Sequence, residues 1–187
     1  DSMVAKLIVH GQTREEALAR LDHALAQTHI VGLNTNVQFL RHVVACPSFA
    51  GADLDTALIA RESAVLFHQE PVGLPVAAAA VIAQTLLNEK ASEGADPFSR
   101  RDGWRAYGVA QRRFGFEFHG QPASAELRYL RDGSLHLVVG EVSGYLAFSL
   151  AGHGMDLQFA GMRLTAAVYA QGEANHVFTA RGATCIT

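Results

Sequence analysis

The stretch L-P-V-A-A-A-A-V-I-A-Q-T-L-L, from Leu74 to Leu87, decides the fold. Its only polar residues are Gln84 and Thr85, so a helix built from it has no face that can comfortably contact water. A membrane span is one alternative, but the stretch is shorter than the roughly 20 residues that a bilayer core requires. Charged residues also follow at once, at positions 89 and 90. The pattern therefore predicts a helix over residues 74–90 that is surrounded by protein on all sides.

The sequence after residue 111 has a different period. Apolar residues alternate with other residues, as in the run Phe114, Phe116 and Phe118, which is typical of strands with one buried face. Turn signals separate eight such runs: Gly120-Gln121-Pro122, Asp132-Gly133, Gly140-Glu141, Gly152-His153-Gly154, Ala160-Gly161, Gln171-Gly172 and Arg181-Gly182. Strands joined by tight turns are antiparallel neighbours, and eight of them can close into a barrel. We expect residues 112–187 to form this barrel, with the apolar helix inside it.

Residues 1–66 combine strand and helix patterns. Met3 to His10 is predicted to form a strand, and Thr13 with Glu16 forms a capping box at the start of an amphipathic helix. The chain as a whole is therefore predicted to be α+β. A short αβ segment occupies residues 1–66, and the helix and its barrel occupy residues 67–187.

Composition and motifs exclude several classes of function. Hydrophobic residues make up 49% of the 187 residues and charged residues 18%, which excludes a disordered chain. The net charge of −3 indicates no nucleic-acid partner, and no membrane partner is expected. The nine histidines form none of the spacings typical of zinc sites, no phosphate-binding loop is present, and Cys46 and Cys185 lie far apart. No catalytic, cofactor-binding or metal-binding residue is predicted.

The irregular segment at residues 91–111 holds the candidate binding residues. A connection of about twenty residues without regular structure is usually either functional or disordered. Trp, Tyr and Arg dominate binding hot spots, and this segment is rich in aromatic residues and arginine. The candidates are Phe98, Arg100, Arg101, Trp104, Arg105 and Tyr107. Two interpretations stay open: the aromatic residues plug one end of the barrel, or the segment is a hook that binds a partner.

Two parts of the chain resemble a known family. D-S-M-V-A-K-L-I-V-H-G-Q-T-R-E-E-A-L-A-R at residues 1–20 and V-G-L-N-T-N-V-Q-F-L-R at residues 31–41 resemble the C-terminal end of biotin carboxylase domains. D-P-F-S at residues 96–99, G-W-R at residues 103–105 and H-V-F at residues 176–178 are similar to motifs in α subunits of biotin-dependent acyl-CoA carboxylases. The 3-methylcrotonyl-CoA carboxylase type is the most similar.

This resemblance implies a fold and a role. In that family the BT domain, named for biotin carboxylase to carboxyltransferase, is a long helix inside an eight-stranded antiparallel barrel. The loop from helix to barrel hooks onto the carboxyltransferase (β) subunit. The chain would be a non-catalytic fragment of the α subunit, with central helix 74–90, hook loop 91–111 and barrel 112–187. Its partners would be the β subunit and the rest of the α subunit, in an oligomeric parent enzyme.

The parent enzyme implied by the resemblance is an ATP-dependent ligase. It would carboxylate biotin with ATP, bicarbonate and Mg or Mn, then transfer the carboxyl group to an acyl-CoA such as 3-methylcrotonyl-CoA. The expected location is the cytoplasm, or the mitochondrial matrix in a eukaryote. The family's ATP-binding core and biotinyl lysine motif match no residues here, so we expect a piece of a longer chain that holds no cofactor itself. The alternative is a β-barrel that binds a small apolar ligand in its interior.

Overall fold

The computed structural model describes residues 3–68, 71–94, 96, 99, 103 and 108–187. The chain divides into two compact units, Asp1–Glu70 and Pro71–Thr187. In the described residues the first unit contains α1 (Arg14–Ala26), α2 (Val37–Ala45), α3 (Pro47–Ala50), α4 (Leu58–Arg61) and α5 (Ser63–Leu66). The second contains α6 (Leu74–Ala91) followed by strands. The predicted α+β class is confirmed.

Helix α1 begins at the cap that the sequence predicts. The Thr13 hydroxyl accepts a hydrogen bond from the Glu16 amide at 3.2 Å, and the Glu16 carboxylate accepts one from the Gln12 amide at 2.7 Å. In a capping box the returning bond comes from the amide of the N-cap residue itself. Here it comes from the residue before the cap, so the cap is confirmed with its second bond shifted by one residue.

Polar contacts fasten the helices of the first unit to one another. Arg41 on α2 binds Asp22 on α1, with Nε and Oδ1 2.8 Å apart. Arg14 at the start of α1 donates from Nε to the carbonyl oxygen of Ala50 at the end of α3, at 3.0 Å. These bonds join α1 to α2 and α3.

The predicted strand from Met3 to His10 is wrong, and so is the αβ character predicted for residues 1–66. Residues 3–11 have no regular secondary structure, and none of the described residues 3–68 belongs to a strand. A strand exists only where a neighbouring strand pairs with its backbone, and the described part of this unit offers none. Its apolar side chains remain in water, with Val4 71% and Ile8 79% exposed.

Eight strands in the described residues form one antiparallel sheet in sequence order, as predicted. They are β1 (Ala110–Phe118), β2 (Gln121–Tyr129), β3 (Leu135–Val139), β4 (Val142–Ala151), β5 (Gly154–Phe159), β6 (Met162–Gln171), β7 (Ala174–Thr179) and β8 (Gly182–Ile186). Tight turns join them, and each turn overlaps the predicted position. Between β1 and β2, His119 and Gly120 both have positive φ, 51° and 75°, which is the backbone of a type I′ hairpin turn.

Helix α6 lies on the inner side of this curled sheet. Residues 77–80, 82 and 83 are 0% exposed and Val81 is 8% exposed. They share one core cluster with buried residues from each strand from β2 to β8, among them Leu127, Leu137, Leu146, Met155, Ala166, Val177 and Ile186. The helix is therefore buried along this stretch, as its composition predicts. Among the described residues, no helix combines the length and the hydropathy needed to cross a membrane.

The first and last strands of the sheet approach each other. Glu117 on β1 and Thr187, which follows β8, exchange two backbone hydrogen bonds with N–O distances of 2.6 and 3.1 Å. Hydrogen bonds of this kind are the ones that close a sheet into a barrel. A fully closed barrel with α6 on its axis goes beyond these two hydrogen bonds, and it stays a prediction.

Candidate partner-binding site in the loop between α6 and β1

The loop predicted to bind a partner connects α6 to β1. Helix α6 ends at Ala91 and β1 begins at Ala110, within two residues of the predicted boundaries. The six predicted partner-binding residues all lie outside the described residues: Phe98, Arg100, Arg101, Trp104, Arg105 and Tyr107. The structure describes both ends of the loop and, within it, Asp96, Ser99 and Gly103. These positions show how the loop is attached to the sheet and the helix.

Ser99 is hydrogen-bonded to two other residues in the first part of the loop, Gly94 and Asp96. The Ser99 hydroxyl accepts a hydrogen bond from the Gly94 amide at 3.0 Å and donates to the Asp96 carbonyl oxygen at 2.6 Å. The Ser99 amide also donates to the Asp96 carbonyl oxygen, at 3.0 Å. The serine of the D-P-F-S motif therefore has a local structural role, because it links Asp96 to Gly94, which lies three residues after the end of α6.

Three side chains, which we call the anchor cluster, join the end of α6 to the sheet. Arg112 on β1 forms a two-point ion pair with Glu89 on α6, at 2.7 Å from Nη1 to Oε2 and 2.9 Å from Nη2 to Oε1. Its Nη1 also donates to the hydroxyl of Tyr129, the last residue of β2, at 3.3 Å. Glu89 is in the last turn of α6 and Arg112 is near the start of β1. The anchor cluster therefore ties together the two ends of the loop.

The ion pair of the anchor cluster is partly withdrawn from water. The side chains of Arg112 and Glu89 are 35% and 15% exposed. Hydrogen bonding to Glu89 raises the pKa of Arg112 above its already high ordinary value, so the guanidinium stays charged. The guanidinium carbon also lies 5.0 Å from the centre of the Phe114 ring. A planar guanidinium can hold a carboxylate at two points and an aromatic ring at the same time, which lysine cannot.

Gly103, near the middle of the loop, lies directly against the side chain of Tyr129. A Cβ atom at position 103 would come within 2.4 Å of the Tyr129 Cγ and 2.6 Å of its Cδ1, closer than side chains approach one another. The φ of Gly103 is +72°, a backbone conformation that glycine adopts far more readily than other residues. Space and backbone therefore both require glycine here. The anchor cluster contacts the loop in its middle as well as at both ends.

The chemistry at this site is that of binding and positioning. It consists of an ion pair, hydrogen bonds and aromatic contacts, which orient a segment rather than carry out a reaction. In the part of the chain that the structure describes, no group of three or more His, Cys, Asp or Glu side chains is placed to hold a metal ion. Cys46 is a buried free thiol and Cys185 an exposed one.

The alternative function, binding of a small apolar ligand, requires space on the inner side of the sheet. Helix α6 packs against that side: Ala79 and Ile82 are 0% exposed and belong to the same core cluster as Leu137 and Met155 of the strands. The structure therefore favours the helix, and not a ligand, as the group that packs against the inner side of the sheet.

Both units of the chain match known protein families. Residues 1–61 match the biotin carboxylase C-terminal domain. Residues 72–187, more than half of the chain, match the BT domain of the methylcrotonyl-CoA carboxylase alpha-subunit. The chain belongs to this BT-domain family. The resemblance inferred from the sequence motifs is confirmed, and Pro71–Thr187 is called the BT domain from here on.

Curated relatives are similar to parts of the chain. Over 111 residues it is 38% identical to the alpha subunit of mitochondrial methylcrotonoyl-CoA carboxylase from Dictyostelium discoideum, covering 56% of this chain and 16% of that protein. It is 41% identical over 71 residues to a biotin carboxylase from Halalkalibacterium halodurans, covering 38% and 16%. It is 55% identical over 51 residues to the alpha3 subunit of a biotin-dependent acyl-coenzyme A carboxylase from Mycobacterium leprae, covering 27% and 8%. The chain spans a small part of the length of these relatives.

Sequence reasoning missed the anchor cluster of the BT domain. The motif G-W-R includes Gly103, but no pattern assigns a role to Glu89, Arg112 or Tyr129. A weak signal exists for Glu89 and Arg112, because these opposite charges lie at the two ends of the irregular loop. Tyr129 has no local signal, since its position next to the loop depends on the register between β1 and β2.

Proposed function

We propose that the chain is the non-catalytic assembly part of the α subunit of a biotin-dependent acyl-CoA carboxylase. Residues 1–66 complete the biotin carboxylase domain, and residues 67–187, which contain the BT domain, join it to the carboxyltransferase (β) subunit. The observation that carries the proposal is the order of the two family matches on one chain, residues 1–61 followed by residues 72–187. A domain that directly follows one component of an enzyme is well placed to connect that component to the next.

The parent enzyme in this proposal is an ATP-dependent ligase. It carboxylates biotin with ATP, bicarbonate and Mg or Mn, and it transfers the carboxyl group to an acyl-CoA such as 3-methylcrotonyl-CoA. The BT-domain match and the name of the Dictyostelium relative support this acyl-CoA. The same name supports a mitochondrial location if the source is eukaryotic. We propose the matrix as that location, and the cytoplasm if the source is not eukaryotic. None of these cofactors is assigned to residues of this chain.

The proposal includes a closed barrel with α6 on its axis. Two observations support it: α6 shares one core cluster with buried residues of the strands from β2 to β8, and β1 is hydrogen-bonded to the residue that follows β8. An enclosed α6 acts as a rigid post. Because Glu89 on this post binds Arg112 on β1, the loop between them starts and ends on the same rigid body.

The contact with the carboxyltransferase subunit is proposed to be the loop at residues 91–111. The residues in contact are Phe98, Arg100, Arg101, Trp104, Arg105 and Tyr107. Their types support this role, because Trp and Tyr supply large contact areas and arginine pairs with carboxylates at two points.

Replacing Trp104 by alanine tests the proposal. We expect Trp104→Ala to weaken association with the purified carboxyltransferase subunit by more than about 1–2 kcal/mol, measured by calorimetric titration. The melting temperature, followed by circular dichroism, should stay unchanged. Tyr145→Ala is the matched control, because Tyr145 is an aromatic residue on β4 that is 64% exposed and lies outside the loop. This control should bind the subunit normally.

The plug interpretation makes the opposite prediction. It expects Trp104→Ala to unfold the BT domain at a much lower temperature. It also expects a folded triple variant, with alanine at Arg100, Arg101 and Arg105, to bind the carboxyltransferase subunit like the unaltered chain. Observing both results would refute the proposal.

A further inference from the structure

We propose that Tyr129 is a positioning residue for partner binding: its side chain holds the backbone of Gly103, and this contact sets the affinity of the loop for the carboxyltransferase subunit. The inference rests on the proposed function of the loop and adds to it a residue outside the loop. It assigns a role to a strand residue that neither the sequence motifs nor the family match singles out.

The contact itself is close and specific. Atoms of Tyr129 occupy the place where a side chain at position 103 would begin, with Cγ, Cδ1 and Cβ at 2.4, 2.6 and 2.9 Å from an added Cβ. Gly108 has a similar positive φ, +84°, but an added Cβ there would meet nothing within 4 Å. The two glycines therefore share a positive φ and differ in whether a side chain lies against them.

Tyr129 is held in place from two directions. Its backbone pairs with Ala110 on β1 and with Leu135 on β3, and its hydroxyl accepts the hydrogen bond from Arg112. Arg112 is in turn held by two hydrogen bonds to Glu89. A side chain fixed by two neighbouring strands and by an ion pair is a rigid surface, so the loop backbone that rests on it has a defined position.

If Gly103 is held against Tyr129, we expect the next residue to have fewer positions open to it, because consecutive Cα atoms are about 3.8 Å apart. That residue is Trp104, the only tryptophan of the chain and the central residue of the proposed contact. A binding residue restricted in this way loses less freedom when it meets its partner, and pre-organisation of this kind raises affinity. The position of Tyr129 is therefore expected to affect binding without any contact to the partner.

The experiment compares Gly103→Ala with Gly108→Ala in the full chain. Both substitutions place alanine at a positive φ, but only the first collides with Tyr129. We expect Gly103→Ala to weaken binding to the carboxyltransferase subunit about tenfold and Gly108→Ala to change it less than about threefold. In the double variant Gly103→Ala/Tyr129→Ala the two closest collisions, with Cγ and Cδ1, are removed and only the 2.9 Å approach to the Cβ of residue 129 remains. Its affinity should therefore return close to that of Tyr129→Ala alone.

Fluorescence of the sole tryptophan provides a second readout that does not require the partner. In the free chain, Gly103→Ala should shift the emission maximum of Trp104 and change its quenching by acrylamide, whereas Gly108→Ala should leave both unchanged. Melting temperatures establish that each variant is folded. Gly103 lies outside the sheet and α6, so its substitution is expected to leave the melting temperature of the BT domain unchanged.

The outcomes separate this proposal from the proposed function. If Trp104→Ala weakens binding and Gly103→Ala does not, the positioning role of Tyr129 is overturned while the loop remains the binding site. If neither weakens binding, the proposed function fails and the effect of Tyr129 on affinity fails with it. If Gly108→Ala weakens binding as much as Gly103→Ala, backbone strain explains the loss and the contact with Tyr129 does not.

Discussion

Leucine substitutions along α6 test whether the sheet encloses the helix on every side. Residues 77–80 are four consecutive alanines, and each of them is 0% exposed. Successive residues of an α-helix point about 100° apart, so these four positions sample all directions around the axis. A leucine at each position therefore probes the space on one face of the helix at a time.

The sign of each effect follows from the room that the new side chain finds. Alanine to leucine adds three carbon atoms, and burying them in free space would stabilise the fold by up to about 2 kcal/mol. If strands already contact that face, the added atoms displace them, and overpacking costs about 1–3 kcal/mol. Enclosure on all sides predicts a loss at all four positions. A sheet that covers only part of the helix predicts a gain, or no change, at one or more of them.

Urea and thermal unfolding of the four variants measure these free energies. For a unit the size of the BT domain, a loss of 1 kcal/mol lowers the melting temperature by about 4 °C, so losses of about 4–12 °C are expected. Ala91→Leu is the matched control, because Ala91 ends the same helix and is exposed. Its stability should stay close to that of the unaltered chain. A single position among residues 77–80 that accepts leucine without loss would refute the enclosed arrangement.

Three further predictions concern the sheet and the anchor cluster. Gly154→Ala should destabilise the BT domain by about 2 kcal/mol or more, because the new Cβ would lie 2.4 Å from the Ala166 carbonyl oxygen. Gly115→Ala, where nothing lies within 4 Å, should be neutral or stabilising by up to about 1 kcal/mol, and equilibrium urea unfolding compares the two. A double-mutant cycle of Arg112→Gln and Glu89→Gln should give a coupling free energy of about 1–2 kcal/mol, a modest value because both side chains are partly exposed. A coupling free energy near zero would contradict the proposal that this ion pair ties the two ends of the loop together. Hydrogen bonds from the Ser134 hydroxyl and amide lower the pKa of Asp132, so its contribution to stability is present above its ordinary pKa of 3.8 and is lost as the pH falls through the lowered value. Asp132→Asn should therefore flatten the fall in melting temperature below about pH 4, and an unchanged acid limb would contradict this assignment.

The parts of the fold that depend on local chemistry could be predicted from the sequence. The turns carry their own signals, since positions such as Gly120 and Gly133 adopt positive φ, and the alternating period between turns indicates strands. The burial of α6 follows from the absence of any polar face. Met3 to His10 has an equally good strand pattern, but a strand needs a neighbour, and no local pattern shows whether one is present. For this reason a strand-like sequence pattern predicted strands correctly after residue 111 and predicted one wrongly before residue 11.

The candidate site, like the fold, has one part that the sequence predicts and one part that it does not. Residue types at positions 91–111 indicate a binding loop, but the side chains that attach it to the domain come from three different elements. Arg112 lies 17 positions from Tyr129 and 23 from Glu89, and these contacts arise only when the helix and the hairpin are both in place. Sequence reasoning could therefore find the residues proposed to meet the partner and not the residues that hold the loop.

The register of the first hairpin explains why the anchor cluster is non-local. The two-residue turn at His119 and Gly120 pairs Phe118 with Gln121, and counting back along both strands from this turn pairs Ala110 with Tyr129. A slip of one residue at the turn would move every side chain of β2 to the opposite face of the sheet. Tyr129 would then point away from both Arg112 and Gly103. The attachment of the proposed binding loop is thus determined at the far end of the hairpin, by a turn that itself contacts no part of the loop's anchor cluster.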